Sequence, residues 1–408
     1  MTRTLARTLL LAASGAALAA CAGPRPFDEA PPPVSPAAEA GAPVQAIAVD
    51  APATPVEALA PFYDQFEYDT PLAPEGPALP AEDAALTSIA FGSCNTAERE
   101  IPILDVIAGQ PHDLFMYIGD NVYGDARDGD ATLPELRRSY FELAEREEFQ
   151  RLRAAHPMMS TWDDHDYGLN DAGGDFAFKG FAETLFEDFW RVPADDDRRD
   201  RDGVYTAKTF GPDGRRVQII LLDTRYFRGA LTPTDDYGAQ GKERYLPSED
   251  ESQTMLGERQ WGWLGEVLEE PADVRLLVSS IQVHADGHGW EAWRTLPHER
   301  ERLYDTIRDS GAEGVVLVSG DRHSSGLYVR DDVADYPLYE ITSSSLNMSF
   351  RDENNEPGPH RIGEMYAPEN FGVVGIDWEA GELNLEIRDI DGETVRRQAI
   401  DLAEIGAR

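Results

Sequence analysis

Cysteine is almost missing from this chain. Only Cys21 and Cys94 occur among 408 residues, which excludes a disulfide framework as the source of stability. Positive charge is scarce as well: 36 Lys plus Arg stand against 76 Asp plus Glu, a formal net charge of −40. Nucleic acid and anionic membrane surfaces need basic patches, so neither is expected as the chief partner. Past the first twenty residues no uninterrupted apolar run reaches bilayer length, so nothing in the body is expected to cross a membrane. No internal repeat at solenoid periods is present either.

The N-terminus carries two arginines, Arg3 and Arg7, ahead of an apolar stretch that ends in Leu18, Ala19, Ala20 and Cys21. That layout predicts a secretory signal over residues 1–20. The four residues up to Cys21 resemble a bacterial lipobox, which implies a mature chain lipidated at Cys21 and anchored to a bacterial membrane, on the periplasmic side or at the cell surface. No Arg-Arg pair precedes the apolar stretch, so a twin-arginine signal is not expected. Residues 21–85, rich in Ala and Pro, read as a tether unable to bury a core, with an aromatic cluster between Leu59 and Tyr68 placed to dock on the body. Residues 86–408 read as one large α/β domain.

Within that domain six apolar runs each stop at Gly or a small polar residue and then deliver a chemically capable side chain. The first ends at Cys94 and the second, Leu114 to Ile118, at Gly119 and Asp120. The third leads into Asp163, Asp164 and His165, and the fourth into Asp223 and Arg225. The fifth reaches His284, and the sixth ends at Gly320, Asp321 and His323. Strands of this kind, buried on both faces, gather ligands at their carboxyl ends. Helical spacing is predicted over Leu133–Leu152, Phe181–Trp190, Gly257–Glu270 and Leu296–Asp309, and antiparallel strands close the chain after Phe371. The Ser343, Ser344 and Ser345 run lacks the flanking glycines of a nucleophile elbow and reads as a loop.

One such acid is ordinarily a cap or turn former. Capping does not call for Cys, Tyr and His in the same set. Thiolate, phenolate and imidazole suit a transition metal such as Fe(III) or Zn, whereas carboxylates alone suit Ca, Mg or Mn, so an unlike pair of metals is expected with Asp120 as the bridge. Two such cations favour in-line displacement at phosphorus.

In their order and spacing, Phe91 to Asn95, Gly119 to Asp125, Trp162 to Asp166, Leu222 to Arg228, Gln260 to Leu264, Ser279 to Val283 and Ser319 to His323 resemble the PhoD-like alkaline phosphatases and phosphodiesterases. That family lies within the calcineurin-like metallophosphoesterases. The resemblance implies a layered α/β/β/α sandwich with mixed sheets and metals at the C-terminal ends of strands. It implies that Cys94, Asp120, Tyr123 and His323 hold iron as Fe3+, and that Asp120, Asp164 and Asp321 hold calcium, with zinc, manganese or magnesium as substitutes. His165 would contact the phosphate and assist the leaving group, and Asn121 would join the site. Arg225 is read as a phosphate clamp or a partner of Asp223, and His284 as a further substrate contact. The expected reaction is attack by a metal-bound hydroxide on a phosphate mono- or diester by a monomeric enzyme. A phospholipase-type phosphodiesterase and a non-catalytic metal- or phosphate-binding lipoprotein are the rival readings.

Overall fold

The computed structural model describes residues 54–350 and 356–407; the predicted signal and Cys21 lie outside them. The chain enters one sheet through β1 (Ser88–Gly92), β2 (Leu114–Ile118) and β3 (Met158–Thr161). It then builds a second sheet from β4 (Thr206–Phe210) and β5 (Val217–Leu221). A short separate hairpin follows, β6 (Thr232–Pro233) with β7 (Tyr245–Leu246). The second sheet resumes with β8 (Val274–Val278), β9 (Val315–Ser319), β10 (Ser325–Arg330), β11 (Leu338–Thr342) and β12 (Arg361–Tyr366). The chain finally returns to the first sheet for β13 (Asn370–Asp377), β14 (Glu382–Asp389) and β15 (Thr394–Asp401).

The strand orders are β15-β14-β13-β1-β2-β3 and β12-β10-β11-β9-β8-β5-β4. Strands β1, β2 and β3 run parallel, as do β5, β8, β9 and β11, while the remaining strands of both sheets pair antiparallel. Both sheets are therefore mixed.

Alternation along each central strand sorts the side chains into layers. On β2, Leu114, Met116 and Ile118 join Val274, Leu276 and Val278 of β8 in a core between the sheets. Phe115 and Tyr117 point the other way. They pack under α2 (Pro102–Ala108), α3 (Pro134–Glu145), α4 (Glu147–Ala155), the single turn α5 (Asp164–Tyr167) and α6 (Lys179–Phe189). The far face of the second sheet, with Leu277 and Leu317, is covered by α7 (Gly257–Leu268) and α8 (Pro297–Ser310). The result is the expected α/β/β/α sandwich. Among the described residues no helix is long and apolar enough to cross a membrane.

Two expectations change. The helix predicted over Leu133–Leu152 is two helices, because Arg146 adopts an extended backbone (ψ 122) between α3 and α4 and its guanidinium bonds the Ala97 carbonyl. Within the segment assigned by composition to the tether, residues 54–85 pack on the body, and the aromatic cluster expected to dock does so. A helix, Pro55–Tyr63, starts with a Thr54/Glu57 capping box, and Tyr63, Phe66 and Tyr68 surround Phe181 at ring distances of 4.7, 5.8 and 5.0 Å. Ala73 then bonds the Phe189 carbonyl. Four aromatic rings provide the apolar area that the Ala/Pro composition lacks.

Candidate metal centre

The carboxyl ends of β1, β2 and β3 meet those of β5, β8 and β9 at one end of the sandwich. Thr161 donates to the Leu222 carbonyl across the gap between the sheets (2.8 Å), and Ser280 donates to Asp163 (2.5 Å). The backbone turns sharply where the ligand candidates sit. Cys94, Asp120, Asp321 and His323 have φ of 58°, 49°, 64° and 54°, in the left-handed region. Each such residue costs about 1 kcal/mol or more, and clusters of them mark functional sites. The glycine of each Gly-Asp pair has a steric reason: a Cβ on Gly119 would lie 2.6 Å from the Asp163 Cβ, and one on Gly320 would lie 2.5 Å from the Ser93 hydroxyl.

Asp120 sits in the middle. On one side its Oδ2 is 3.0 Å from the Tyr123 hydroxyl and 3.5 Å from the Cys94 sulfur, while Tyr123 is also 3.4 Å from His323 Nε2. The His323 Nδ1 faces the Met348 carbonyl, which can only accept. Nδ1 therefore carries the ring proton and Nε2 presents its lone pair inward. Ser344 lies 3.1 Å from the Cys94 sulfur and receives the His323 backbone N–H. On the other side, the carboxylates of Asp120, Asp163, Asp164 and Asp321 bring one oxygen each to within 4.8 Å of one another.

Burial and this crowding set the protonation. Burial, reinforced by Asp164, holds Asp120 well above the usual carboxylate range, and burial with Asp163 and Asp164 does the same to Asp321. Burial pushes Cys94 up to about 12 and holds His323 down at about 4. Buried carboxylates that repel one another beside a thiol, a phenol and an imidazole lone pair form a donor set that cations complete. On that chemistry the residues fit a transition metal on the Cys94, Tyr123 and His323 side and a harder cation on the aspartate side.

His165 borders the cluster. Its Nδ1 is 2.8 Å from Asp125, and its ring lies 4.2 Å from that of Tyr123. Burial disfavours the charged ring, but Asp164, Asp120 and Asp125 together outweigh it and raise its pKa well above the ordinary value.

Three expected contacts are placed elsewhere. Arg225, read as a phosphate clamp, is fully buried: its Nε donates to Asp163 (2.6 Å) and its Nη1 to Glu291 (2.6 Å). A guanidinium in the interior pairs with carboxylates, and two were in reach. The guanidinium pairs with Asp163 rather than Asp223, whose Oδ1 receives the backbone N–H groups of Arg225 and Tyr226. His284 is also fully buried, spans Tyr304 and the Leu338 carbonyl at 3.0 Å each, and is held at about 3 by burial. Asn121 donates its side-chain amide to the Thr161 carbonyl and to Asp166, and its side-chain oxygen accepts the Gly119 N–H, so it braces the loop after β2. Sequence reasoning gave no role in the site to Asp163, Asp125, Ser344 or Glu291. Asp163 and Asp125 lie inside motifs already singled out, whereas Ser344 and Glu291 carry no such signal.

A family model described as PhoD-like phosphatase matches residues 89–385. The chain belongs to the PhoD-like phosphatase family. It is 24% identical over 308 residues to alkaline phosphatase D of Bacillus subtilis (strain 168), a match covering 65% of this chain and 51% of that protein. The chain thus spans about half the length of this relative. A solved structure of PhoD superposes with a TM-score of 0.59 at 17% identity, covering 80% of this chain and 70% of that one. GAP50, the anchor in the inner membrane complex of Plasmodium, gives 0.52 at 12% identity, covering 78% and 89%. At these identities the two structures speak for the sandwich fold alone.

Proposed function

We propose that this chain is an exported, metal-dependent phosphoric ester hydrolase of the alkaline phosphatase D type, acting on phosphate mono- or diesters and anchored through a lipid on Cys21. The observation that carries the reading is the convergence on Asp120 of Cys94, Tyr123 and His323 from one side and Asp163, Asp164 and Asp321 from the other. Cys94, Asp120, Tyr123 and His323 would hold Fe3+; Asp120, Asp164 and Asp321 would hold calcium. Bound there, the cations supply Lewis acidity and neutralise charge on the phosphoryl group.

The chain's own groups divide the remaining work. Asp125 fixes His165 through Nδ1, so Nε2, which has no partner among the described residues, is the atom that gives a proton to the departing alkoxide. Asp125, which would hold no cation, favours the protonated ring. The Arg225, Glu291 and Arg228 chain holds Asp163 in place and offers nothing to the substrate. The His165–Asp125 pair is what a non-catalytic binding lipoprotein would not require.

The test is elemental analysis of the protein lacking residues 1–20, with hydrolysis of p-nitrophenyl phosphate and its bis ester before and after chelation. Iron with calcium and chelator-sensitive turnover are expected, and the ester ratio separates monoesterase from diesterase. Protein that takes up no metal and cleaves neither ester would overturn the reading. Lipidation is read by labelling cells with a fatty acid, which Cys21→Ala should abolish.

A further inference from the structure

Strand β4 ends its sheet: β5 pairs with one side of it, and no strand among the described residues pairs with the other. Contacts at its two ends show which groups look outward. Val204 gives its N–H to Asp223, just past β5 (3.0 Å), whereas the Tyr205 carbonyl accepts from the Arg201 guanidinium. Beyond the strand, Gly211 gives its N–H to the Glu82 carbonyl (2.8 Å). Main-chain groups alternate in direction along an antiparallel strand. Ala207 and Thr209 therefore each turn an N–H and a C=O away from β5.

That edge is the floor of a groove of about 1080 Å³. One wall is α7, which contributes Glu258, Gly262, Trp263 and Glu266 on the face where Ala207 packs into the helix-covered core. The other is the loop from Asp195 to Asp200, on the face that β4 presents with Lys208 and Phe210: Phe210 enters the core between the sheets, and Lys208 acts on the charge of Asp196. Eight acids line the groove against Arg201, Lys208 and Arg259, and Arg201 already donates to the Gly203 and Tyr205 carbonyls. Acids are common over this whole chain; here they flank an open strand edge on both of its faces. Trp263, half-buried and 4.7 Å from the Tyr205 ring, adds an indole that a cation can cover.

We propose that the β4 edge is a docking site for an extended, lysine- or arginine-rich segment of a partner protein, which adds as a further strand between α7 and the 195–200 loop. Main-chain bonds to Ala207 and Thr209 supply the pairing, and side chains that alternate between the two faces meet acids on each. A second copy of this chain would bring acids against acids. The inference is independent of the metal centre.

The probe is a short end-blocked peptide alternating lysine and valine, labelled with fluorescein and read by anisotropy at about 0.15 M salt. The same peptide N-methylated at every residue keeps the charge and loses the main-chain donors. It is expected to bind roughly tenfold more weakly. Thr209→Pro removes an outward N–H while leaving the ladder to β5 intact, and should weaken the unmethylated peptide to a similar degree. Gly262→Gln approaches the groove from the other wall. A Cβ there meets nothing within 4 Å, so the new side chain stands in the groove, and a helix former replaces glycine. It should give the same loss, and it carries the test should the proline variant fail to fold. No binding to the unmodified protein, equal affinity for the two peptides, or full affinity retained in the folded variants would each overturn the proposal, the last two assigning the attraction to the acidic surface at large.

Discussion

On one side of Asp120 the donors are Cys94, Tyr123 and His323; on the other they are Asp163, Asp164 and Asp321. The first side is held by neutral contacts, namely the Ser344 hydroxyl at the thiol and the Met348 carbonyl at the imidazole. The second side is held by charge. Arg225 pairs with Asp163 and Glu291, Arg228 with Glu291, and Arg244 with Asp171, whose backbone N–H bonds Asp164. Hydroxyl and carbonyl partners orient a ligand without adding charge, whereas aspartates need counter-charges to share a site at all. The two sides should therefore respond differently when a donor or a cation is removed.

The largest effect is expected where the sides join. Asp120→Asn removes the one carboxylate common to both and should lower turnover by about a thousandfold or more, with both metals lost on elemental analysis. Retention of both metals would mean that Asp120 is not the bridge. Next come the side-specific changes, each expected to cost about a hundredfold in turnover. Cys94→Ser should deplete the transition metal and spare the harder cation, and Asp321→Asn should do the reverse. Equal loss of both metals from either variant would break the comparison.

Charge on the aspartate side also makes a stability prediction for metal-free protein. Asp120 and Asp321 are held well above the usual carboxylate range, and burial raises Asp163 to about 7. Raised folded-state pKa values mean that the folded chain binds more protons than the unfolded one above the carboxylate range, so stability falls as pH rises. His112, His284 and His323, all held below the usual value, act oppositely but only below about pH 6.5, where unfolded histidine titrates. Above about pH 6.5 the metal-free protein should therefore lose stability, by roughly 1 kcal/mol per pH unit for each site proton that the folded chain still holds and the unfolded chain has lost. Saturating calcium should flatten that slope on denaturant titration. A slope untouched by cations would show that the carboxylates are not what is titrating.

Much of this layout is legible in the sequence because the central strands are short apolar runs stopped by Gly and followed by acids. Residues 114–118 are bounded to the residue by that rule. The edge strand β4 was passed over, since Thr206, Lys208 and Thr209 are half-buried or exposed and break the apolar run. Within the site, what each strand delivers is readable, but what each side chain faces is not. Arg225 looks like a phosphate clamp until Asp163 and Glu291, 62 and 66 residues away, are seen to hold it. His284 follows a strand like the ligands do, yet its ring turns to Tyr304 rather than to the cleft. Such pairings arise from long-range packing, on which strand-end periodicity is silent.

The smallest expected effect concerns the group that belongs to neither side. Asp125 touches His165 and Arg127 but is absent from the two donor groups that meet at Asp120, so Asp125→Asn should leave metal content unchanged. It removes from His165 the one neighbouring carboxylate that would hold no cation. The His165 pKa should then fall, and the alkaline limb of the kcat–pH profile, which reports loss of the proton donated to the leaving group, should move to lower pH. At neutral pH the loss should be about tenfold, from the less firmly oriented ring. The shift should be larger for an alkyl ester than for p-nitrophenyl phosphate, because a good leaving group needs little proton donation. An equal drop for both esters with no displacement of the limb would assign Asp125 to folding and leave the acid unidentified.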